Sequence, residues 1–85
     1  MKPDKDYYKN IIVKKIIKKG LSNADLFAII KKVDKTAIIH AKSLREDRIN
    51  LLCDEKYLTD IDNLQIICDE LEIKLPKRRY REFLK

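Results

Sequence analysis

The sequence predicts one all-helical domain, a compact arrangement of five or six short helices. Three observations lead there. The 85 residues include one Gly and two Pro, too few turn-formers to punctuate a series of short strands. No sustained alternation of apolar and polar residues bounded by turn residues occurs. Apolar residues recur instead at three- and four-residue spacings between helix-capping signals. A chain this short buries one modest core and has no room for a walled cleft with a lid.

Residues 1–5 read as a frayed start. From Asp4 or Asp6 to Lys19 a first helix is expected, because Tyr8, Ile12 and Ile16 recur every fourth residue with Val13 and Ile17 beside them. Lys14, Lys15 and Lys18 fall mostly on the other side. Acids at its start and lysines at its end suit the helix dipole. Gly20 follows the last turn, where a left-handed cap residue belongs. Ser22-Asn23-Ala24-Asp25 matches a capping box and opens a helix over about 23–32. Leu26, Phe27, Ile29 and Ile30 make that helix apolar almost all round, so it should be central. Asp34 is a plausible cap for a helix over about 35–42. Ser43-Leu44-Arg45-Glu46 is a second box match and predicts a helix over 44–55 that buries Leu44, Ile49, Leu52 and Cys53. Thr59-Asp60-Ile61-Asp62 is a third and opens a helix to about Glu72, with Ile61, Leu64, Ile67, Cys68 and Leu71 on one face. Pro76 stops regular structure or begins a final short helix. The tail 76–85 is strongly basic, with Tyr80, Phe83 and Leu84 as a small apolar edge.

Composition excludes several classes. Apolar residues are 45% and charged residues 40% of the chain, too rich in Ile and Leu for a disordered chain. Two cysteines are too few for a secreted disulfide scaffold. No apolar run approaches membrane-spanning length, and no continuous apolar segment follows the basic N-terminus. These features lead to the expectation of a soluble, cytoplasmic protein. The net charge of +6 is unevenly placed. Residues 1–45 carry +8, residues 46–73 carry −7 and residues 74–85 carry +5. Basic blocks of this kind attract polyanions through long-range fields and counterion release. Equally, lysine-rich helices can simply be solvated.

The stretch 27–43, FAIIKKVDKTAIIHAKS, reads as two short helices with a turn between them. Phe27 and Ala28 lie on the first, Val33 fills the corner, and Ile38 and Ala41 anchor the second. The segment 49–73, INLLCDEKYLTDIDNLQIICDELEI, carries Thr59, Ile61, Leu64, Ile67, Leu71 and Ile73 in a cap-then-apolar pattern. That pattern resembles the closing half of lambda-repressor/Cro-like DNA-binding domains. Val33-Asp34-Lys35-Thr36 with Ile38 and Ala41 resembles the turn and recognition helix of phage-type helix-turn-helix regulators. The two matches together span about residues 20–75. Lys32 stands where a glycine is usual, Lys31 where an inward apolar residue is usual, and 45–55 reads as an extra helix.

The resemblance implies that the outward side of 35–43 enters the major groove of duplex DNA. Thr36, Ile39, His40 and Ser43 would then reach base edges, the Ile through a thymine methyl. Lys31, Lys32, Lys35, Lys42 and Arg45 would hold phosphates, and Lys77, Arg78, Arg79 and Arg81 would follow the backbone or a minor groove. A second register takes 36–44 as the first helix and 46–53 as the reader. It fits the closing half without a gap, but places Glu46 and Asp47 at the DNA-facing start. Acids there repel phosphate, so the first register is preferred.

No nucleophile–base pair surrounds His40, the one histidine, so an enzyme is not expected. Cys53 and Cys68 lie on apolar faces and read as small core residues. Neither a zinc ligand set nor a calcium loop is present, and no metal or cofactor is expected. The expected function is sequence-specific DNA binding in transcriptional control, by a homodimer on a two-fold site. Ile11, Ile17 or Phe83 would supply the dimer edge. The alternative is a helical interaction module, an inhibitor or adaptor, working through the acidic surface of 46–72.

Overall fold

The computed structural model describes residues 5–74, and every regular element among them is helical. Four helices of two turns or more and one single helical turn are present, in the order α1 (Lys5–Lys19), α2 (Asn23–Val33), α3 (Arg45–Leu52), α4 (Glu55–Leu58) and α5 (Ile61–Leu71). The all-helical class is as the sequence predicts, and the count of substantial helices is smaller than five or six. The expected tail 76–85, with Lys77, Arg78, Arg79, Arg81 and Phe83, lies outside the described residues.

Local chemistry explains the first two helices. Gly20 ends α1 at φ 63°, a conformation that costs glycine nothing. Ser22 then caps α2 reciprocally with Asp25: the Asp25 N–H donates to Ser22 Oγ at 3.2 Å, and the Ser22 N–H donates to the Asp25 carboxylate at 3.0 Å. These bonds hold the Asp25 carboxyl below the usual carboxylate range, the Ser22 N–H being the larger cause.

The core is one cluster. Tyr8, Ile12 and Ile16 of α1 meet Leu26, Ile29 and Ile30 of α2 and Leu64, Ile67, Cys68 and Leu71 of α5. Leu52, Cys53, Tyr57 and Leu58 close it from the α3–α4 side. Most of these side chains are fully buried, each worth roughly 1.5–3 kcal/mol relative to exposure. Both thiols are buried and free, and burial pushes Cys53 up to about 11 and Cys68 up to about 12.

Two caps shift by one residue from their expected places. Leu44, not Ser43, precedes α3, and Asp47 receives the Leu44 N–H at 3.3 Å. Asp60, not Thr59, caps α5, accepting from the N–H groups of Asp62 and Asn63. The hydroxyls are committed elsewhere: Thr59 donates to the Glu55 carbonyl, and Ser43 accepts from Arg48. Leu44, expected in the core, is 67% exposed. Glu72 ends α5 in the left-handed region, φ 58° and ψ 41°, and its side chain pairs with Lys19 at 2.6 Å.

The principal correction concerns 35–42. The stretch 34–44 between α2 and α3 contains no helix. Three branched residues, Thr36, Ile38 and Ile39, disfavour one. Thr36, Ile38 and His40 are exposed while Ala37 and Ile39 turn inward onto the core, the two-residue period of extended chain. Ile38 and Ala41, expected as buried anchors, are both exposed, Ile38 at 95%. Ala28, placed on the first helix of the pair, is exposed as well. The second register fails on the same ground, since 36–44 is not helical.

Candidate nucleic-acid interface

The loop 34–44 is irregular but heavily anchored. At its start, the Asp34 carboxylate accepts the Thr36 N–H at 3.0 Å, the Thr36 hydroxyl at 2.7 Å and the Tyr57 phenol at 2.9 Å. The Thr36 hydroxyl bond contributes most to holding the Asp34 carboxyl below its ordinary value. Burial, with that Asp34 bond second, pushes the Tyr57 phenol up to about 12. Lys31 reaches forward from α2, donating to the Ala37 carbonyl at 2.6 Å and the Lys35 carbonyl at 3.2 Å. Its ammonium also lies 5.8 Å from the centre of the Phe27 ring.

The far end of the loop is held by Arg48. This side chain is only 7% exposed and faces no carboxylate among the described residues. Its Nε donates to Ser43 Oγ at 2.9 Å and one terminal nitrogen to the Asn23 carbonyl at 2.7 Å. The other lies 3.5 and 3.4 Å from the carbonyls of His40 and Ala41, and the guanidinium sits 5.9 Å from the Phe27 ring. Asn23 opens α2, so Arg48 ties the end of the loop to the start of that helix. The loop therefore runs back along α2, and α3 sets out beside the first turn of α2. A short turn does not connect them.

The expected contact residues separate accordingly. Lys31 and Ser43 serve as loop anchors. Lys32 pairs with Glu70 of α5. Ile39 packs inward, and the Thr36 hydroxyl is committed to Asp34. His40 is exposed, its Nδ1 accepting from the Lys42 N–H at 3.1 Å. Lys35, Lys42 and Arg45 are exposed and meet no acid among the described residues. Sequence reasoning missed two features here, the bare Ile38 and the buried Arg48, and it set aside 46–53 as a reader because of Glu46 and Asp47. Arg48 was visible as a spacing, four residues before the buried Leu52.

α3 packs on α2 more than on any other helix. Arg48 and Leu52 face inward, Ile49 is half-buried, and Arg45, Glu46, Asp47 and Asn50 are exposed. Between the loop and α3 lies a shallow depression of about 160 Å³, lined from the loop by Ile38, Ile39, His40 and Ser43 and from α3 by Asp47, Arg48 and Leu51.

The acidic surface of 46–72 is largely committed. Asp54 caps α4, accepting the Lys56 N–H at 2.9 Å, and Asp60 caps α5. Asp69 accepts from Gln65, while Glu70 and Glu72 pair with Lys32 and Lys19. No group of His, Cys, Asp and Glu arranged to hold a metal occurs among the described residues. No helix among them is long and apolar enough to cross a membrane. Compared with known proteins, the chain matches no family model, no curated protein and no solved structure.

Proposed function

We propose that the chain is a small duplex-DNA-binding regulator whose reading element is α3, flanked by phosphate-binding lysines of the 34–44 loop. In this reading α2 and α3 form an expanded variant of the helix-turn-helix pair, and α5 is its closing helix. The observation that carries the proposal is the exposed polar surface of α3: Glu46 and Asn50, four residues apart, share its outward face, and Arg45 stands exposed in its first turn. Their donor and acceptor patterns suit guanine, cytosine and adenine edges in a major groove. Lys35 and Lys42 on the adjoining loop, unpaired among the described residues, suit the flanking phosphates. Asp47, which disfavoured this helix as a reader, directs its carboxylate to the Leu44 N–H. A dimer on a two-fold site is the natural form for so small a reader.

The test is fluorescence anisotropy on a target selected from random duplexes, across a salt series. Arg45→Ala and Asn50→Ala should relax base preference, each by about 1–3 kcal/mol at one position. Lys35→Ala and Lys42→Ala should weaken all sequences alike and flatten the salt dependence. Loss of affinity without loss of preference in the Arg45 and Asn50 variants would remove α3 from the role.

A protein partner is the second reading, favoured by Ile38 at 95% and Leu44 at 67% exposure. Under it, Ile38→Ser would abolish a pull-down while leaving DNA affinity unchanged.

A further inference from the structure

A second basic surface lies away from α3. Glu72 turns the chain left-handed at the end of α5, and the Ile73 N–H donates back to the Cys68 carbonyl at 2.8 Å. The chain leaving α5 thus passes beside the C-terminal half of α1. Between them runs an open groove of about 370 Å³. Ile11 and Ile73 form its apolar floor, and Lys14, Lys15, Lys18 and Lys74 its rim.

Its one acid, Glu72, is engaged chiefly by Lys19 outside the groove and offsets only Lys15 of the rim. The Glu72 carboxylate takes the Lys19 ammonium at 2.6 Å, and this bond foremost holds its carboxyl below the ordinary value. Lys14, Lys18 and Lys74 are exposed with no acidic partner among the described residues. Lys14 and Lys18, four residues apart on one helix, repel each other. A polyanion lying in the groove relieves that repulsion.

We infer that this groove is a separate binding site for a nucleic-acid phosphodiester backbone, independent of sequence and of α3. An open trough suits a linear chain that passes through it, whereas an enclosed pocket would suit a small anion. Lys14 and Lys18 are displaced by about 6 Å along the helix axis, so each can take a different phosphate. The Ile11 and Ile73 floor offers the sugars an apolar contact.

The experiment uses the full chain with a short labelled single strand of random sequence. The slope of log affinity against log salt should fall by about 1.4 in Lys14→Gln/Lys18→Gln, at about 0.7 per lost phosphate contact. Circular dichroism melts check that this variant folds like the parent. Glu72→Gln should tighten binding. Amide shifts on titration should concentrate at 11–18 and 73–74. An unchanged slope in the folded double variant, shifts confined to 35–50, or binding to anionic phospholipid vesicles in place of the strand would each overturn the inference. The α3 reading is judged separately by base preference in the Arg45 and Asn50 variants, so either can fail alone.

Discussion

Replacing Arg48 by Met tests whether one buried cation organises the loop. Met keeps the stem and much of the volume but donates nothing. The substitution removes two short bonds, 2.7 Å to the Asn23 carbonyl and 2.9 Å to Ser43 Oγ. It also removes two contacts near the distance limit, to His40 and Ala41, which count for little. A hydrogen bond from a charged donor contributes about 1.5–3 kcal/mol, so the two short ones represent roughly 3–6 kcal/mol. Relieving a guanidinium of its burial offsets several kcal/mol of that. A net loss of about 2–3 kcal/mol follows. For a domain of this size each kcal/mol moves the melting temperature by about 4–8 °C, giving a drop on the order of 10–20 °C. Circular dichroism melts of the parent, Arg48→Met and Arg48→Lys provide the assay, with Lys expected between the other two. Hydrogen exchange should localise the effect, because Ser43 donates its N–H to the His40 carbonyl at 2.9 Å inside this loop. Arg48→Met melting with the parent, at unchanged Ser43 exchange, would refute the reasoning.

Further outcomes follow from other parts of the fold. Leu64→Ala, at a fully buried site on α5, should cost about 2–5 kcal/mol in urea unfolding. Cys53 and Cys68, both buried with raised thiol values, should resist an aromatic disulfide reagent at pH 8 until denaturant opens the fold. Their raised folded values stabilise the native state fully below the unfolded thiol value, and that contribution fades as pH rises toward about 11–12. Asp34→Asn has the opposite sign. The Asp34 carboxyl lies below its ordinary value in the fold, so its contribution exists above that ordinary value and vanishes as pH falls through the lowered one. The parent and Asp34→Asn melting curves should therefore differ at neutral pH and converge in acid.

The helices that were legible from sequence are those whose determinants are local. Gly20, the Ser22–Asp25 pair and the Tyr8, Ile12, Ile16 spacing lie within a few residues of what they control, and α1 and α2 follow. The α5 face of Leu64, Ile67, Cys68 and Leu71 was equally plain. The loop was not legible because its determinants are distant. Ile38 and Ala41 have helical spacing, yet two anchors decide the matter from outside the segment, Lys31 from α2 and Arg48 from α3. A three-residue spacing in a short segment does not distinguish a helix from extended chain held by neighbouring cations. The displaced caps have a related cause. Thr59 sits beside Asp60, whose carboxylate makes the cap in its place, and the hydroxyls of Ser43 and Thr59 are engaged elsewhere, with Arg48 and the Glu55 carbonyl. For the candidate site, Lys35, Lys42 and Arg45 are exposed and meet no acid among the described residues. The proposed reading assigns base contacts to α3 because Lys31, Thr36 and Ser43 are engaged in holding the loop.

The partition of charge between structural and uncommitted groups bears most directly on function. The acids of the second half look like a working surface in sequence, yet Asp47, Asp54 and Asp60 cap helices and Glu70 and Glu72 pair with lysines. Acids at helix N-termini are stabilising on their own account, so their abundance requires no partner. The exposed cations divide differently. Lys19 and Lys32 are paired and Lys31 is an anchor. Lys14, Lys18 and Lys74 stand at the α1 groove and Lys35, Lys42 and Arg45 at the loop and the start of α3, all without an acidic partner among the described residues, while Lys9 and Lys56 are exposed elsewhere. Unpaired like charges gathered on a small domain oppose folding through self-repulsion. Binding of an anion at either surface would relieve that repulsion, which is the physical ground shared by the two proposals.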